Sequence, residues 1–527
     1  MQIVERSGSD VRKLDALIHA LLSKSPAVAS WVNGWADMSS IRLQLEKRRA
    51  KRPSTETLAA VISRQYAGVA MSDKTAVNLT ALHNSDAFTV TTGHQLCILG
   101  GPAYFIYKIL STIKLAKLIQ SEFPDETIVP VFWMASEDHD KEEINHIHIH
   151  AEKHEWSTPQ TGAVGRFETL ELESWIEENW SLFPASDLST SSKEMMLKAC
   201  RQSSSLAGAT RMWVNELLGE YGLVILDADD KELKRLFSPI MLNDVFKHQS
   251  FEAVAATSQA IQAAGFQTQV NPREINLFYL STSSRVRIEQ HANEWRTTDG
   301  RAHWTEQTLR QEIEEHPDRF SPNVILRPLY QEVLLPNLAY VGGPGELAYW
   351  IQLKSMFDAY DVNFPCLVLR DSAMVLTQSA QRKMEKLGLK VDDLFRPQLE
   401  ITNQILKVDD WSVASELQTL ETTYAAIGDT LSAIDATLRG AVMSELQKAK
   451  AGIEHVQGKA RKSLKQKEEA RLSQINKLWS EIYPNQQPQE RVENFFSFYL
   501  QSDENLIHAL LDSFNPLENK VTIALLG

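Results

Sequence analysis

Short apolar runs that end in polar or charged residues dominate the hydrophobic pattern of the chain. There are four such runs: AFTVTTGHQ (87–95), TIVPVFWMASEDHD (127–140), GLVILDADD (222–230) and FPCLVLRDS (364–372). Continuous apolar runs of this length are typical of strands in a parallel sheet that is covered on both faces. After the first run, Ile106, Leu110 and Ile113 recur at helical spacing, and Pro102 is expected in the first turn of that helix. The pattern therefore predicts a βαβ unit in an α/β fold.

The chain is predicted to consist of a parallel-sheet core interrupted by two insertions and followed by a long helical region. In open α/β sheets, ligands bind beyond the carboxyl ends of the strands, so the polar ends of the four runs are expected to share one crevice. The predicted segments are the first part of the core (1–150), an insertion (151–215), more core (216–254), a second insertion (255–322), the last part of the core (323–385), an α-helical coiled coil (386–482) and a C-terminal segment that packs on the core or on the coiled-coil base (483–527).

A heptad pattern marks the helical region, which has no proline between Pro397 and Pro484. Apolar residues recur every seven positions in two series, which are Leu417, Tyr424, Leu431, Leu438 and Leu420, Ile427, Ile434, Ala441. Such a series is the a/d seam of a coiled coil. The phase slips near Gly440, which fits either a stutter in one long helix or the tip of a hairpin.

Composition and charge narrow the class of protein. The 527 residues are 43% hydrophobic and 23% charged, as in soluble globular proteins. The net charge of −14 argues against nucleic acid as a partner. No apolar run is long enough for a membrane span and no signal peptide is expected. The three cysteines form no CxxC motif, which favours a reducing cytoplasm over a disulfide framework.

The first candidate motif is Gly93-His94-Gln95 at the end of the first run. Gly93 would let the backbone approach a phosphate, and His94 would donate a hydrogen bond to it. A helix beginning at Gly100-Gly101-Pro102 would add the partial positive charge of its N-terminus. A tight turn with a core-facing histidine explains the motif equally well, and the residues alone leave both interpretations open.

An acidic and histidine-rich stretch follows the second run. Its members are Glu137, Asp138, His139 and Asp140, then His146, His148 and His150 at every second position of an expected strand. Carboxylates and imidazoles can hold a metal, but no HExxH or similar ligand spacing is present. The same groups could orient an amine, ribose hydroxyls or a magnesium nucleotide. An acidic loop beside a histidine-bearing edge strand is the third interpretation.

A second glycine turn, Gly342-Gly343-Pro344-Gly345, follows an apolar run and leads through Glu346 into an expected helix. So many glycines favour close approach of a ligand or of another backbone. Arg327, Gln331 and Glu332 are expected on a nearby polar face, with surface salt bridging as the alternative. Arg370 ends the fourth run and could grip a carboxylate or phosphate, although an ion pair with Asp371 competes. Cys97 is read as a packing residue.

Four blocks of the sequence carry a resemblance to a known family. TTGHQ…GGPAYFIYK, PVFWMASEDHDKEEINH, SPNVILRPLYQEVLLPNLAYVGGPGELAYW and YPNQQPQERVENF occur in this order. They resemble the cysteine ligases, or cysteine-adding enzymes, of bacillithiol biosynthesis. The resemblance implies a Rossmann-type parallel-sheet core like that of class I aminoacyl-tRNA synthetases, with connecting-peptide insertions and a coiled-coil domain that forms a homodimer. It also implies that L-cysteine is joined to the amine of glucosaminyl-malate.

The resemblance further implies a nucleotide, ATP or ADP, with Mg²⁺ as a candidate ion, and no zinc-ligand motif is evident. Gly93-His94 would match the second half of the synthetase HxGH signature, with Thr91 at the first histidine position. The predicted nucleotide-binding residues are Gly100, Gly101, Asn485, Arg491 and Asn494.

The predicted catalytic residues are His94, Asp138 and Asp140, of which a carboxylate would take the proton from the attacking amine. The predicted substrate-binding residues are Thr92, Gly93, Gln95, Tyr107, Glu137, His139, Asn145, Arg327, Gln331, Gly342, Gly343, Gly345, Glu346, Tyr349, Trp350 and Arg370. In these roles Glu137 would bind an amine and Arg370 a malate carboxylate. Two other functions remain open, which are a metal-dependent hydrolase using residues 137–150 and a non-catalytic nucleotide-binding coiled-coil protein.

Overall fold

The computed structural model describes residues 1–407, 412–502 and 505–527. These residues form two compact units. The first unit contains Met1–Thr377 and Gln487–Gly527, and the second contains Gln378–Gln486. The chain thus leaves the first unit once and returns to it for its last residues.

The strands lie in the first unit. In chain order they are β1 (Gln2–Ser7), β2 (Ala87–His94), β3 (Thr127–Met134), β4 (His146–Ile149), β5 (Glu152–Glu155), β6 (Val224–Asp227), β7 (Leu277–Leu280), β8 (Arg285–His291), β9 (Glu294–Thr297), β10 (His303–Thr305), β11 (Phe320–Pro322), β12 (Asn337–Gly342), β13 (Cys366–Leu369), β14 (Ser372–Leu376) and β15 (Lys520–Leu525).

The helices are distributed over both units. Those before the second unit are α1 (Gly8–Val11), α2 (Ala16–Leu22), α3 (Met38–Ala50), α4 (Glu56–Gln65), α5 (Asp73–His83), α6 (Tyr104–Glu122), α7 (Lys141–Ile144), α8 (Leu170–Asn179), α9 (Asp187–Gln202), α10 (Leu206–Leu218), α11 (Lys231–Lys247), α12 (Gln249–Ala263), α13 (Glu306–Glu315), α14 (Leu326–Leu334), α15 (Pro344–Gln352) and α16 (Lys354–Ala359). The second unit holds α17 (Gln378–Leu387), α18 (Gln398–Ile405), α19 (Ala414–Ser432), α20 (Thr437–Lys467) and α21 (Glu469–Ile482), and the returning segment holds α22 (Phe496–Tyr499) and α23 (Asn505–Ser513).

The core of the first unit is a parallel sheet with strand order β13-β12-β2-β3-β6. The four apolar runs are its strands β2, β3, β6 and β13, as predicted, and β12 lies between β13 and β2. Helices cover both faces of such a sheet, which is why these strands are apolar throughout. Residues 87–93 of β2 are buried without interruption. The predicted α/β class with a parallel-sheet core is confirmed.

Helix α6 follows β2 and completes the predicted βαβ unit, but it begins later than expected. Pro102 precedes its first residue, Tyr104, and does not lie in the first turn. Leu99, Gly100 and Gly101 form a tight loop in the left-handed region, with φ of 46°, 74° and 53°. The helix start is therefore separated from the glycines by two residues.

The two insertions differ in structure. The first is mainly helical (α8 to α10), and the second contains an antiparallel sheet with strand order β10-β9-β8-β7-β11. Where the first insertion begins, β4 pairs antiparallel with β5, so His146 and His148 share a strand as predicted. His150 was expected on that strand as well, but it lies in the following turn with φ of 54°.

The last residues of the chain join the first ones in a small sheet. Strand β15 pairs antiparallel with β1 and parallel with β14, giving the order β1-β15-β14. The C-terminal segment is thereby a structural part of the first unit.

The second unit contains a helical hairpin formed by α19 and α20. The turn between them covers residues 433–436, not the neighbourhood of Gly440. Arg439 on α20 pairs with Asp429 on α19 at 2.9 Å, which shows that the two helices run antiparallel from this turn. The predicted heptad series continues across this turn, so the prediction is wrong at residues 433–436. Ile434, which it placed in the helix interface, lies in the turn and is 80% exposed. Among the described residues, no helix is both long and apolar enough to cross a membrane.

Candidate active site

The ends of β2, β3, β12 and β13 bring the predicted site residues to one edge of the parallel sheet. Gln95 Nε2 donates a 3.0 Å hydrogen bond to Asp138 Oδ2, which joins the ends of β2 and β3. The ring of Tyr104 lies 5.3 Å from the ring of His94 and 5.1 Å from the guanidinium carbon of Arg370. The strand ends are therefore linked by direct side-chain contacts, as the parallel topology requires.

His94 is half-buried, and its hydrogen bond fixes the positions of its protons. Nδ1 lies 2.9 Å from the carbonyl oxygen of Gln95, which can only accept, so Nδ1 carries the proton. Burial, and secondly the charge of Lys108, lower the pKa of His94 from 6.5 to about 4. At neutral pH the imidazole is then uncharged and presents a lone pair at Nε2. This tautomer differs from the expected one, because a donor to phosphate would need a proton on Nε2.

Asp138 is held as an ionised carboxylate. Its Oδ1 accepts a 2.7 Å hydrogen bond from the backbone N–H of His139, and its Oδ2 accepts from Gln95. Burial alone would raise the pKa of Asp138, but the neighbouring His139 side chain, then Arg285, and then the two hydrogen bonds hold it well below its ordinary value. Asp140 is exposed and precedes α7 without capping it. Asp138 is thus a charged and partly accessible carboxylate that the hydrogen bond from Gln95 holds at the sheet edge.

Glu346 and Lys108 connect the two glycine turns. Lys108 Nζ donates to the carbonyl oxygen of Gly93 at 2.5 Å and to Glu346 Oε2 at 2.7 Å. Glu346 also accepts from the backbone N–H of Gly343 and from the Tyr340 hydroxyl, both at 2.8 Å. Burial works against the charge on Glu346, but Lys108 outweighs it and lowers the pKa to about 2. Lys108 and Glu346 therefore connect the end of β2, at Gly93, to the turn that follows β12, at Gly343.

Sequence reasoning missed Lys108. The residue is 1% exposed on α6, among the apolar residues that pack this helix on the sheet. A lone lysine inside an otherwise apolar helix face was the available signal, because a buried ammonium needs a partner.

The guanidinium of Arg370 is already occupied. It donates to Glu490 Oε1 and Oε2 at 2.8 and 3.1 Å, and both side chains are buried. The expected competitor was an ion pair with Asp371, whose carboxylate instead accepts from the backbone N–H of Asn515 at 3.0 Å. The core ion pair therefore exists with a different partner, and the two Nη groups of Arg370 are not free to grip a malate carboxylate.

Arg327 and Gln331 are not on the surface. Arg327 Nη1 donates to Gln331 Oε1 at 3.2 Å, while Gln331 and Glu332 are fully buried, so the alternative of surface salt bridging is wrong. A Cβ atom at Gly93 would come within 3.1 Å of Arg327 Nη1. The absence of a side chain at Gly93 therefore leaves room for this guanidinium at the strand end.

A second cluster of charged side chains lies beyond the end of β6. We call it the β6 cluster, and it consists of Glu137, Lys234, Asp229 and Arg166. Lys234 Nζ is fully buried between Glu137, at 2.5 Å, and Asp229, at 2.7 Å. Arg166 Nε pairs with Asp229 at 2.7 Å. Glu137 was expected to bind a substrate amine, but it already binds the ammonium of Lys234. The aspartates that end GLVILDADD were the sequence signal for this cluster.

The remaining predicted residues serve mainly in packing. Asn494 Nδ2 donates to the carbonyl oxygens of Leu99 and Gly101 at 2.9 and 2.7 Å, so its amide holds the glycine loop. The backbone N–H groups of Gly100 and Gly101 are bonded within that loop to the carbonyls of Cys97 and Ile98. The loop thus offers neither N–H to a phosphate. This arrangement does not fit the predicted nucleotide site.

Other predicted positions can be placed by their surroundings. Five of them lie inside the packed core. The Thr92 hydroxyl donates to the Val341 carbonyl, the Tyr107 ring packs edge-on against Phe495 and Phe514, and Trp350 stacks on Tyr340. The backbone carbonyl of Asn145 accepts from the backbone N–H of Trp156, and Gly342 belongs to β12. Tyr349 is partly buried in α15, whereas Gly345, Arg491 and Asn485 are exposed, the last of them in the second unit.

No group of three or more histidines, cysteines, aspartates or glutamates is arranged to hold a metal among the residues that the structure describes. The rings of His146 and His148 lie 5.2 Å apart, and burial lowers the pKa of both.

Two family models cover almost the whole chain. Residues 5–371 match the N-terminal Rossmann-like domain of the bacillithiol biosynthesis protein BshC, and residues 373–526 match its C-terminal coiled-coil domain. The chain belongs to the BshC family. The resemblance seen in the sequence is confirmed, together with the Rossmann-like core and the coiled-coil domain. The hydrolase and the non-catalytic alternatives are not favoured.

Curated relatives of similar length support this membership. Proteins named "Putative cysteine ligase BshC" from Christiangramia forsetii, Flavobacterium johnsoniae and Cytophaga hutchinsonii are 36%, 35% and 35% identical to the chain, with 97%, 96% and 97% of each chain covered. A solved structure described as a "putative arginyl t-RNA synthetase" from Campylobacter jejuni shares 9% identity over 83% of this chain and 97% of its own, with a TM-score of 0.22.

Proposed function

We propose that this protein is a ligase that joins L-cysteine to the amine of glucosaminyl-malate through an amide bond, the last step of bacillithiol biosynthesis. The observation that carries the proposal is the match to BshC family models over residues 5–371 and 373–526. Relatives that cover 97% of the chain are named as cysteine ligases. The site at the sheet edge supports the proposal, because it offers groups suited to an amine substrate.

Asp138 is the residue best suited to bind the amine. Its carboxylate is ionised and partly accessible, and a substrate ammonium would add a charge-assisted hydrogen bond to it. The substrate ammonium loses two protons on becoming an amide nitrogen, one before it attacks the activated carboxyl carbon and one as the carbon–nitrogen bond forms. The first proton goes to solvent, and the second goes to the uncharged Nε2 of His94. The bond between the carboxyl carbon and its activating group breaks in the same step, and that group leaves with the electron pair.

The reaction needs an activated carboxylate, because an amide does not form readily in water from a free acid and an amine. We propose ATP, with Mg²⁺, as the source of activation. The Gly100-Gly101 loop and Asn494 do not supply free hydrogen-bonding groups for it, so no residue is assigned to the nucleotide.

The assembly and location belong to the same proposal. Ile427, Ile434, Met443 and Val456 are exposed on the hairpin of α19 and α20. A homodimer that covers this apolar surface is our proposal for the second unit. The three described cysteines are unpaired thiols, which suits the cytoplasm.

The test is product formation from purified protein with L-cysteine, ATP and glucosaminyl-malate, followed by mass spectrometry for bacillithiol. The same mixture is run with lysate from cells that lack the gene, in case a second protein is required. We expect product that His94→Ala and Asp138→Asn reduce by about 100-fold or more. The matched controls His83→Ala and Glu252→Gln change exposed residues on α5 and α12 and should retain activity. Absence of product in both mixtures would contradict the proposal.

A further inference from the structure

Arg285 reaches the candidate site from the second insertion. It lies on β8, and its Nη1 is 3.2 Å from Nδ1 of His139. Its other nitrogens are held in place, since Nε donates to the Ser321 hydroxyl and Nη2 to the Pro322 carbonyl, both at 3.0 Å. The guanidinium also lies over the ring of Phe278 at 4.1 Å. Arg285 is therefore a rigid donor aimed at one ring nitrogen of His139.

The chemistry of the guanidinium determines the tautomer of His139. Arginine donates hydrogen bonds and cannot accept them, so the contact requires a lone pair on Nδ1 of His139. A neutral imidazole with a lone pair on Nδ1 carries its proton on Nε2. The His139 side chain is 46% exposed, so this N–H is available to a ligand.

His94 has the opposite arrangement. Its Nδ1 carries the proton because it faces a carbonyl oxygen, and its Nε2 is an acceptor. The two histidines adjoin Gln95 and Asp138, whose side chains are bonded to each other at 3.0 Å. Two neighbouring strand ends thus present one fixed acceptor and one fixed donor.

Removal of Arg285 would move the proton of His139 from Nε2 to Nδ1. Asp138 Oδ1 lies 3.5 Å from His139 Nδ1, and Arg285 Nη1 is 3.6 Å from the same carboxylate oxygen. The guanidinium of Arg285 therefore contacts both His139 Nδ1 and Asp138 Oδ1. Without it, these two acceptors would face each other. Without it, a proton on Nδ1 of His139 would be favoured, because it could donate to Asp138.

We propose that Arg285 is a positioning residue that fixes His139 as a donor at Nε2, and that this donor acts together with the acceptor of His94 to select a substrate with adjacent amine and hydroxyl groups. A hydroxyl can accept from His139 while an amine donates to His94. The choice of substrate rests on the proposed function, whereas the tautomer of His139 does not.

The first test reads the tautomer directly by nuclear magnetic resonance of protein labelled with ¹⁵N-histidine. His139 resonances are assigned by their loss in His139→Gln. We expect an unprotonated Nδ1 and a protonated Nε2 in the wild type, and a proton on Nδ1 in Arg285→Gln. Arg285→Lys should keep the wild-type tautomer, since lysine also only donates. The control Arg287→Gln removes an exposed guanidinium of β8 that lies 5.6 Å from the same Phe278 ring, and it should change nothing.

The second test is kinetic. Arg285→Gln should raise the KM for glucosaminyl-malate about tenfold, the effect of one lost hydrogen bond, and leave the KM for cysteine unchanged. A wild-type His139 with its proton on Nδ1, or an unchanged tautomer in Arg285→Gln, would overturn the positioning role. An altered tautomer with an unchanged KM for the amino sugar would overturn the selection of substrate. Failure of the wild type to form product concerns the proposed function and leaves the resonance test intact.

Discussion

Replacement of Lys108 by methionine tests whether one buried ion pair holds the two glycine turns together. Methionine preserves most of the apolar stem and removes the ammonium that bonds to Gly93 and Glu346. Glu346 would then keep a largely buried carboxylate with only the Tyr340 hydroxyl and the Gly343 N–H as partners. Removing one partner of a buried pair is more damaging than removing both.

The pKa of Glu346 gives the size of the effect. Its shift from 4.5 to about 2 corresponds to about 3 kcal/mol of stabilisation at neutral pH. The same burial lowers the pKa of Lys108, and loss of that unfavourable contribution offsets part of the change. We therefore expect Lys108→Met to lower the free energy of unfolding of the core by about 2–3 kcal/mol at pH 7. A depressed carboxylate pKa stabilises above pH 4.5 and loses this effect as the pH falls towards 2, so the difference from wild type should shrink below pH 4.5.

Hydrogen exchange measured by mass spectrometry is the suitable assay, because peptides from β2 report the first unit alone. Peptides from α20 in the second unit should exchange as in the wild type and serve as an internal control. Lys117→Met on the same helix removes an exposed lysine and should change the free energy by less than about 0.5 kcal/mol. The double variant Lys108→Met/Glu346→Gln should recover most of the loss. Equal protection of β2 in Lys108→Met and wild type, or a difference that grows with acid, would show that the Lys108–Glu346 pair does not stabilise the core.

Three further outcomes are expected. Because the pKa of His94 is about 4, the rate of product formation should stay level from pH 7 down to about 5. A catalytic histidine with a pKa of about 6.5 would already have lost most of its activity at about pH 5. A fall in rate centred near about pH 6.5 would contradict the role of His94 as the proton acceptor. Asn494→Ala removes two hydrogen bonds to the carbonyls of Leu99 and Gly101 and should destabilise the core by about 1–3 kcal/mol, measured as faster exchange in that loop. Ile427→Glu, at an exposed apolar position of the hairpin, should weaken the proposed dimer in light scattering, and an unchanged mass would place the interface elsewhere.

The central sheet could be predicted because its strands are buried on both faces. Burial imposes continuous apolar runs such as residues 87–93, and these are visible without any knowledge of neighbours. The parallel arrangement then places polar residues at one edge, which is why His94 and Asp138 were expected near each other. Local pattern and a general rule of topology were sufficient for this part of the site.

Partners far apart in sequence could not be predicted. Nothing near Arg370 indicates that Glu490 would occupy its guanidinium, because the two residues are 120 positions apart. Likewise, only the fold of the second insertion brings Arg285 to His139. Side chains at strand ends can be read from the sequence, but the partners that neutralise or orient them depend on the whole fold.

The heptad pattern shows a different limit. Apolar residues at a seven-residue spacing continue through Leu431 and Leu438, although the chain reverses between them at residues 433–436. A periodic pattern reports which residues can face a partner helix, and it does not distinguish a partner in the same chain from one in another chain.

The proposed function depends most on binding of the substrate amine by Asp138 at the edge of the sheet. Isothermal titration calorimetry of glucosaminyl-malate against wild type, Asp138→Asn and the control Glu252→Gln measures this directly. Loss of a charge-assisted hydrogen bond should raise the Kd of Asp138→Asn roughly 10- to 100-fold, with the control unchanged. Equal affinity of Asp138→Asn and wild type would contradict this role of Asp138 and would show that the amine binds elsewhere.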